Sequence, residues 1–210
     1  MSWLQGGPFL EVSFVLPIGR EKDTFIRSVV AGVLGHSVAF QLAIEPLQLE
    51  KLIHEFVVGY LDDETDRNSI VYNTIQVPLH AEVCGKRRAV LHVSRISESL
   101  AVVDVWFYGS ELDAPELGMK AIRKQDEESF KEVLVDLHST FHFPAGSVGY
   151  EMNSLELFDS AGTWPSESYV LSNISVQALP EKLKGSLILI LIDGNAFGLN
   201  GSTERLIFER

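Results

Sequence analysis

The chain has a single cysteine, Cys84, in 210 residues, so it forms no internal disulfide, and the composition fits a reducing compartment. Long apolar runs are missing as well: no stretch approaches the roughly 18 residues that a membrane-spanning helix needs. The opening MSWLQGGPFLEVSF has no basic segment, and Glu11 interrupts its apolar part, which argues against a signal peptide. These absences give the expectation of a cytoplasmic protein with no membrane partner. Positive charge is also scarce. Seventeen Lys+Arg stand against 29 Asp+Glu, a formal net charge of −12 with a pI near 4.9. Such a field opposes phosphate backbones and disfavours nucleic acid. It complements a basic protein surface, although acidity also serves solubility alone.

Signature motifs are lacking too. The sequence contains no G-x-x-x-x-G-K-[ST] phosphate loop, G-x-G-x-x-G, H-E-x-x-H, C-x-x-C or kinase signature. The expectation is therefore no cofactor and no metal. Several near-matches need weighing. Asp193, Asn195, Gly198 and Glu204 fall at positions one, three, six and twelve of an EF-hand loop. Position five is Phe197, however, and LILILI ahead of Asp193 is a strand, so Asp193-Gly194 and Asn200-Gly201 read as hairpin turns. His138 and His142 are spaced to share one helix face, where Glu132 or Asp136 would join them on a metal. Pro144 ends that helix, and histidines there also complement the helix dipole. Ala145-Gly146-Ser147-Val148-Gly149 is a relaxed form of the nucleophile elbow, but it follows a helix rather than a strand.

Two further residues have chemical potential. Cys84 precedes Lys86, Arg87 and Arg88, cations that favour thiolate, with His80 and His92 as nearby histidines in the sequence. A hairpin connection explains the same CGKR stretch. Asp104 sits between Val102 and Trp106 on one face of LAVVDVWFY, where a carboxylate against an indole suits a general acid. The weak catalytic candidates are therefore Asp104, His138, His142 and Ser147.

The rest of the pattern describes a scaffold. FLEVSFVL is a strand ending at Pro17, and Asp23 or Thr24 caps a helix carrying Phe25, Ile26, Val29, Val30, Val33 and Leu34, which Gly35 closes. HSVAFQLAIE alternates as a strand, and Pro46 opens a second helix with Leu49, Leu52, Ile53, Phe56, Val57, Tyr60 and Leu61 on one face. SIVYNTIQV, HAEVC, RAVLHVSRI and LAVVDVWFY are strand-like, with hairpin connections at CGKR and ISES. A third helix, capped near Asp126, carries Phe130, Val133, Leu134, Leu137 and Phe141. SVGYEM reads as a strand, SLELF as a helical turn, and GTWPSESYVL as a helix starting after Pro165. The expected fold is α+β, a largely antiparallel sheet with about three amphipathic helices and a C-terminal β-meander. Residues 1–210 form a single domain, or two sub-halves, 1–109 and 110–210.

For function the expectation is a non-enzymatic acidic protein-binding module, most concretely a bacterial immunity- or antitoxin-type inhibitor of a basic protein partner. Asp62, Asp63, Glu64 and Asp66, together with Glu111, Asp113 and Glu116, supply its charge, and Trp164 an aromatic anchor. The alternatives are a small soluble hydrolase using His, Asp and Ser residues in a cleft, or a subunit of a larger assembly. An exposed apolar face or open strand edge marks the last.

Overall fold

The computed structural model describes residues 3–4, 7–35, 40–61, 71–112, 122–143, 145–151, 187–192, 195–198 and 206–208. In chain order they form β1 (Phe9–Pro17), α1 (Lys22–Leu34), β2 (Gln41–Leu42), α2 (Pro46–Val58), β3 (Tyr60–Leu61) and β4 (Val71–Tyr72). These are followed by β5 (Thr74–Glu82), β6 (Lys86–Arg95), β7 (Leu100–Tyr108), a 3-10 turn (Gly109–Glu111) and α3 (Lys124–Phe141). The last strands are β8 (Ala145–Tyr150), β9 (Leu187–Ile192), β10 (Asn195–Gly198) and β11 (Leu206–Phe208). Nine strands form one sheet in the order β11-β10-β9-β8-β1-β7-β6-β5-β2, and β3 pairs with β4 separately. All pairings are antiparallel. The architecture is α+β, as the hairpin-rich middle of the sequence predicts.

The first strand becomes the sheet's middle because both of its faces are suited to burial. Leu10, Val12, Phe14 and Leu16 alternate onto the helix-covered face, in one core with Ile26, Val29 and Val33 of α1, Ile53 and Phe56 of α2, and Phe130, Val133, Leu134 and Leu137 of α3. Each such side chain contributes about 1.5–3 kcal/mol on burial. Because strand side chains alternate, this set fixes the register: a slip by one residue would turn all four β1 side chains away from the helices. Glycine permits the closest approach. A Cβ on Gly146 would lie 2.8 Å from Phe143 and 2.9 Å from Leu134, so α3 could not rest on β8 with any larger residue there.

Helix ends follow local chemistry. At α2 the Glu45 side chain and Gln48 form a capping box with Pro46 in the first turn, and Gly59 at φ 78 stops the helix. Helix α1 starts at Lys22, slightly ahead of the expected Asp23 or Thr24 cap, and α3 starts at Lys124 rather than near Asp126. In both cases the acids sit in the first turn, where the helix dipole favours them, instead of at the cap.

Two strand expectations change. Among the described residues of HSVAFQLAIE only Gln41–Leu42 form a strand, and residues 36–39 lie outside the described residues. TIQVPLHAE is one continuous strand through Pro78, not two segments. Ala43 N donates to Pro78 O and Arg95 N to Asn73 O, so even-numbered β5 residues turn their backbone away from β6. Proline's missing N–H therefore costs no bond to β6. The SLELF and GTWPSESYVL expectations, and the two Asp-Gly and Asn-Gly turns, lie outside the described residues. The strands flanking those turns pair antiparallel, as a meander requires. Among the described residues no helix is long and apolar enough to cross a membrane.

Candidate functional site

The helix-free side of the sheet carries a row of polar residues. Ser147 of β8 is in register with Ser13 of β1, Ser13 with Asp104 of β7, Asp104 with His92 of β6, and His92 with Gln76 of β5. Alternation puts them on one face, since their neighbours Phe14, Val103, Val105, Leu91 and Val93 take the core side.

Asp104 anchors this row. It is 1% exposed, and its two oxygens have different partners. Ser13 Oγ donates to Asp104 Oδ1 at 2.5 Å, and His92 Nδ1 lies 3.0 Å from Asp104 Oδ2. The other imidazole nitrogen, His92 Nε2, is 3.0 Å from the hydroxyl of Thr74 on β5. A carboxylate accepts only, which favours the tautomer with the proton on Nδ1, and in that tautomer Nε2 accepts from Thr74. A buried carboxylate without such donors would be costly, and two hydrogen bonds offset that cost. Stacking fixes the ring plane: His92 lies on Trp106 with centroids 4.4 Å apart, and Trp106 lies on Phe9 at 5.6 Å. The result is a hydroxyl–imidazole–carboxylate chain, Thr74–His92–Asp104, braced by Ser13. Its inner end is buried, and its outer end reaches solvent through the His92 side chain, 17% exposed.

Thr74 also lines a cleft of about 540 Å³ between β5 and the last turns of α2. Next to Thr74, the Asn73 side-chain amide donates to Phe56 O of α2 at 2.8 Å while its Oδ1 accepts from Lys22 Nζ at 3.2 Å. Burial is the main cause lowering the Lys22 pKa, helped by the charge of Arg95.

Of the sequence candidates, only Asp104 belongs to this chain. Ser147 is fully buried within β8, so the strand-turn-helix geometry of a nucleophile elbow is not formed there. His138 and His142 lie at the end of α3 with rings 6.3 Å apart and edge to face. His142, at φ 52, is the residue that terminates the helix. Among the described residues no group of three or more His, Cys, Asp or Glu side chains is placed to hold a metal. Cys84 forms the β5–β6 hairpin with Gly85, at φ 51 and φ 95 respectively. Its Sγ donates to Asp126 O at 3.8 Å, and burial pushes the thiol pKa up, against the pull expected of the neighbouring cations. The nearest of these, Arg87, is occupied with the carbonyls of Val83 and Cys84. Glu111 is exposed in the 3-10 turn, 3.7 Å from Arg87 Nη1. Asp62, Asp63, Glu64, Asp66, Asp113, Glu116 and Trp164 lie outside the described residues.

Sequence reasoning missed Ser13 and His92 as partners of Asp104, and Thr74 as the partner of His92. The ISES hairpin contains the signal for one of them, because its length sets His92 opposite Asp104. The contact to Ser13 spans 91 residues of sequence and has no local signal. No family model, curated protein or solved structure matches the chain.

Proposed function

We propose that this chain is an acidic protein-binding module, most concretely a bacterial immunity- or antitoxin-type inhibitor that covers a basic surface on its partner. The observation that carries this reading is where apolar side chains face water. Leu47, Val58, Tyr60, Leu61 and Val71 are the exposed large hydrophobic residues among those described, and all lie on α2, β3 and β4. An apolar centre bordered by charge is the usual anatomy of a protein interface. In the sequence, Asp62, Asp63, Glu64 and Asp66 fall between Leu61 and Val71. Acidic residues speed encounter with a basic partner, while apolar residues hold the complex once formed.

The test begins with native mass spectrometry of the tagged protein captured at low salt from its source cells. A stoichiometric basic partner that dissociates as salt rises is the expected result. Neutralising Asp62, Asp63 and Glu64 together then slows association by about an order of magnitude and flattens its salt dependence. On-rates that do not change in that triple variant exclude electrostatic steering. A protein recovered alone counts against binding itself.

A further inference from the structure

Going beyond the binding role, we propose that Thr74, His92 and Asp104 form an acyl-transfer centre that hydrolyses small, uncharged carboxylic esters entering the cleft beside β5. The connectivity carries the inference. A nucleophilic hydroxyl needs a base within hydrogen-bond reach, and the base needs an acceptor on its far nitrogen to hold tautomer and orientation. Here Thr74 Oγ1 is 3.0 Å from His92 Nε2, and His92 Nδ1 is 3.0 Å from Asp104 Oδ2. Ser13 and Trp106 leave neither the carboxylate nor the ring free to turn. In the tautomer with the proton on Nδ1, the base and the orienting contact fall on opposite nitrogens of the ring.

The cleft supplies the rest of the site. At about 540 Å³ it is of the size that holds a small ligand. Leu52, Val58 and Tyr60 line it beside His54, Glu55 and Thr74, so an apolar acyl group fits and an anionic one is opposed by Glu55 and the net charge. Thr74 and Gln76 turn their backbone groups away from β6, towards the open side of β5. Two residues apart on an extended strand, the two N–H groups lie about 7 Å from each other, so a developing oxyanion takes one of them as its backbone donor.

The chemistry balances without a co-reactant other than water. Thr74 Oγ1 attacks the ester carbonyl carbon, and its proton passes to His92 Nε2. The bond from carbonyl carbon to the leaving oxygen breaks, and that oxygen takes the proton from His92. Water, deprotonated by His92, then attacks the acyl-threonine, releasing the carboxylic acid and restoring the Thr74 hydroxyl. Thr74 and His92 are the catalytic residues, whereas Asp104 and Ser13 are positioning residues that act through the ring.

The experiment uses the full chain with p-nitrophenyl acetate, following nitrophenol release and mapping the acetyl adduct by peptide mass spectrometry. The expected adduct is on Thr74. Thr74→Ala and His92→Ala lower the rate at least about 100-fold, and Thr74→Ser keeps it, while circular dichroism shows all three folded. Asp104→Asn lowers kcat at unchanged KM, a split that loss of fold does not produce. Acetyl found only on lysines, other histidines or Cys84, or a Thr74→Ala rate equal to that of the parent, overturns the proposal. The outcome does not depend on whether a protein partner exists.

Discussion

At the scale of single residues, the buried carboxylate of Asp104 makes the sharpest demand. Its Oδ1 takes the Ser13 hydroxyl at 2.5 Å in a place where water does not reach either residue. Ser13→Ala removes that donor and leaves a buried acceptor short of one bond, which costs about 1–3 kcal/mol. Urea denaturation measures it, and a cost below about 0.5 kcal/mol, the range of an ordinary surface substitution, shows that the bond is not formed. Cys84 offers a second residue-scale test. Burial holds its thiol pKa above the ordinary thiol value, with the Ser129 hydrogen bond and Arg87 acting in the opposite direction. Alkylation in mildly alkaline buffer is therefore slower than for a free thiol, and its pH profile is displaced upward. The linked effect on stability has a definite sign. The unfolded thiol ionises first, so this contribution is whole below the unfolded pKa and is lost as pH rises towards the folded one. A profile that coincides with that of free cysteine contradicts the half-buried placement.

At the scale of elements, the first two helices are joined on their outer side by Arg27, whose guanidinium donates to both oxygens of Glu50 at 2.7 Å and 2.6 Å and to Asp23 at 2.8 Å. The Glu50 carboxyl is held below its ordinary pKa chiefly by that hydrogen bond. A depressed carboxylate contributes above its unfolded pKa and loses its contribution as pH falls through the folded value. The pair is exposed, so salt screens it and its share of stability is small. A side-chain carboxyl NMR titration should show Glu50 shifted down in the parent and returned towards the ordinary range in Arg27→Gln. An unshifted midpoint in the parent removes the clamp. Elements are also the scale at which the sequence was most legible. The stripes Ile26–Val33 and Phe130–Leu137 are true helix faces, because amphipathic spacing needs no long-range information. Asp104 was legible as a singular residue for the same reason, since a charge inside an apolar strand breaks the local pattern. Its companions were not, because Ser13 meets it only through the β1–β7 pairing, and Thr74 meets His92 on a diagonal that depends on the register of β5. Of the described residues of HSVAFQLAIE only Gln41–Leu42 form a strand, because alternation marks what can pair and gives no sign of how far a neighbour runs alongside.

At the scale of the whole molecule, two demands meet on the stretch from α2 to β4. Its inner residues, Ile53 and Phe56, complete the core, while Leu47, Val58 and Val71 spend their apolar surface on solvent, at 81%, 61% and 53% exposure. An apolar side chain this exposed adds little to folding, and under the proposed binding role its surface is what the partner covers. The two roles separate by mutation. Leu47→Ser, Val58→Ser and Val71→Thr should each leave the free energy of unfolding within about 0.5 kcal/mol of the parent. Together they should weaken capture of the partner by at least about tenfold, because apolar contacts at the centre of an interface govern how long a complex lasts. Surface plasmon resonance separates the consequences: the apolar substitutions raise the off-rate and leave the salt dependence of association intact, whereas the acidic triple variant does the reverse. If the apolar variants instead lose stability in proportion to the surface removed, those side chains are core in the working form of the protein, and the binding surface must be sought elsewhere.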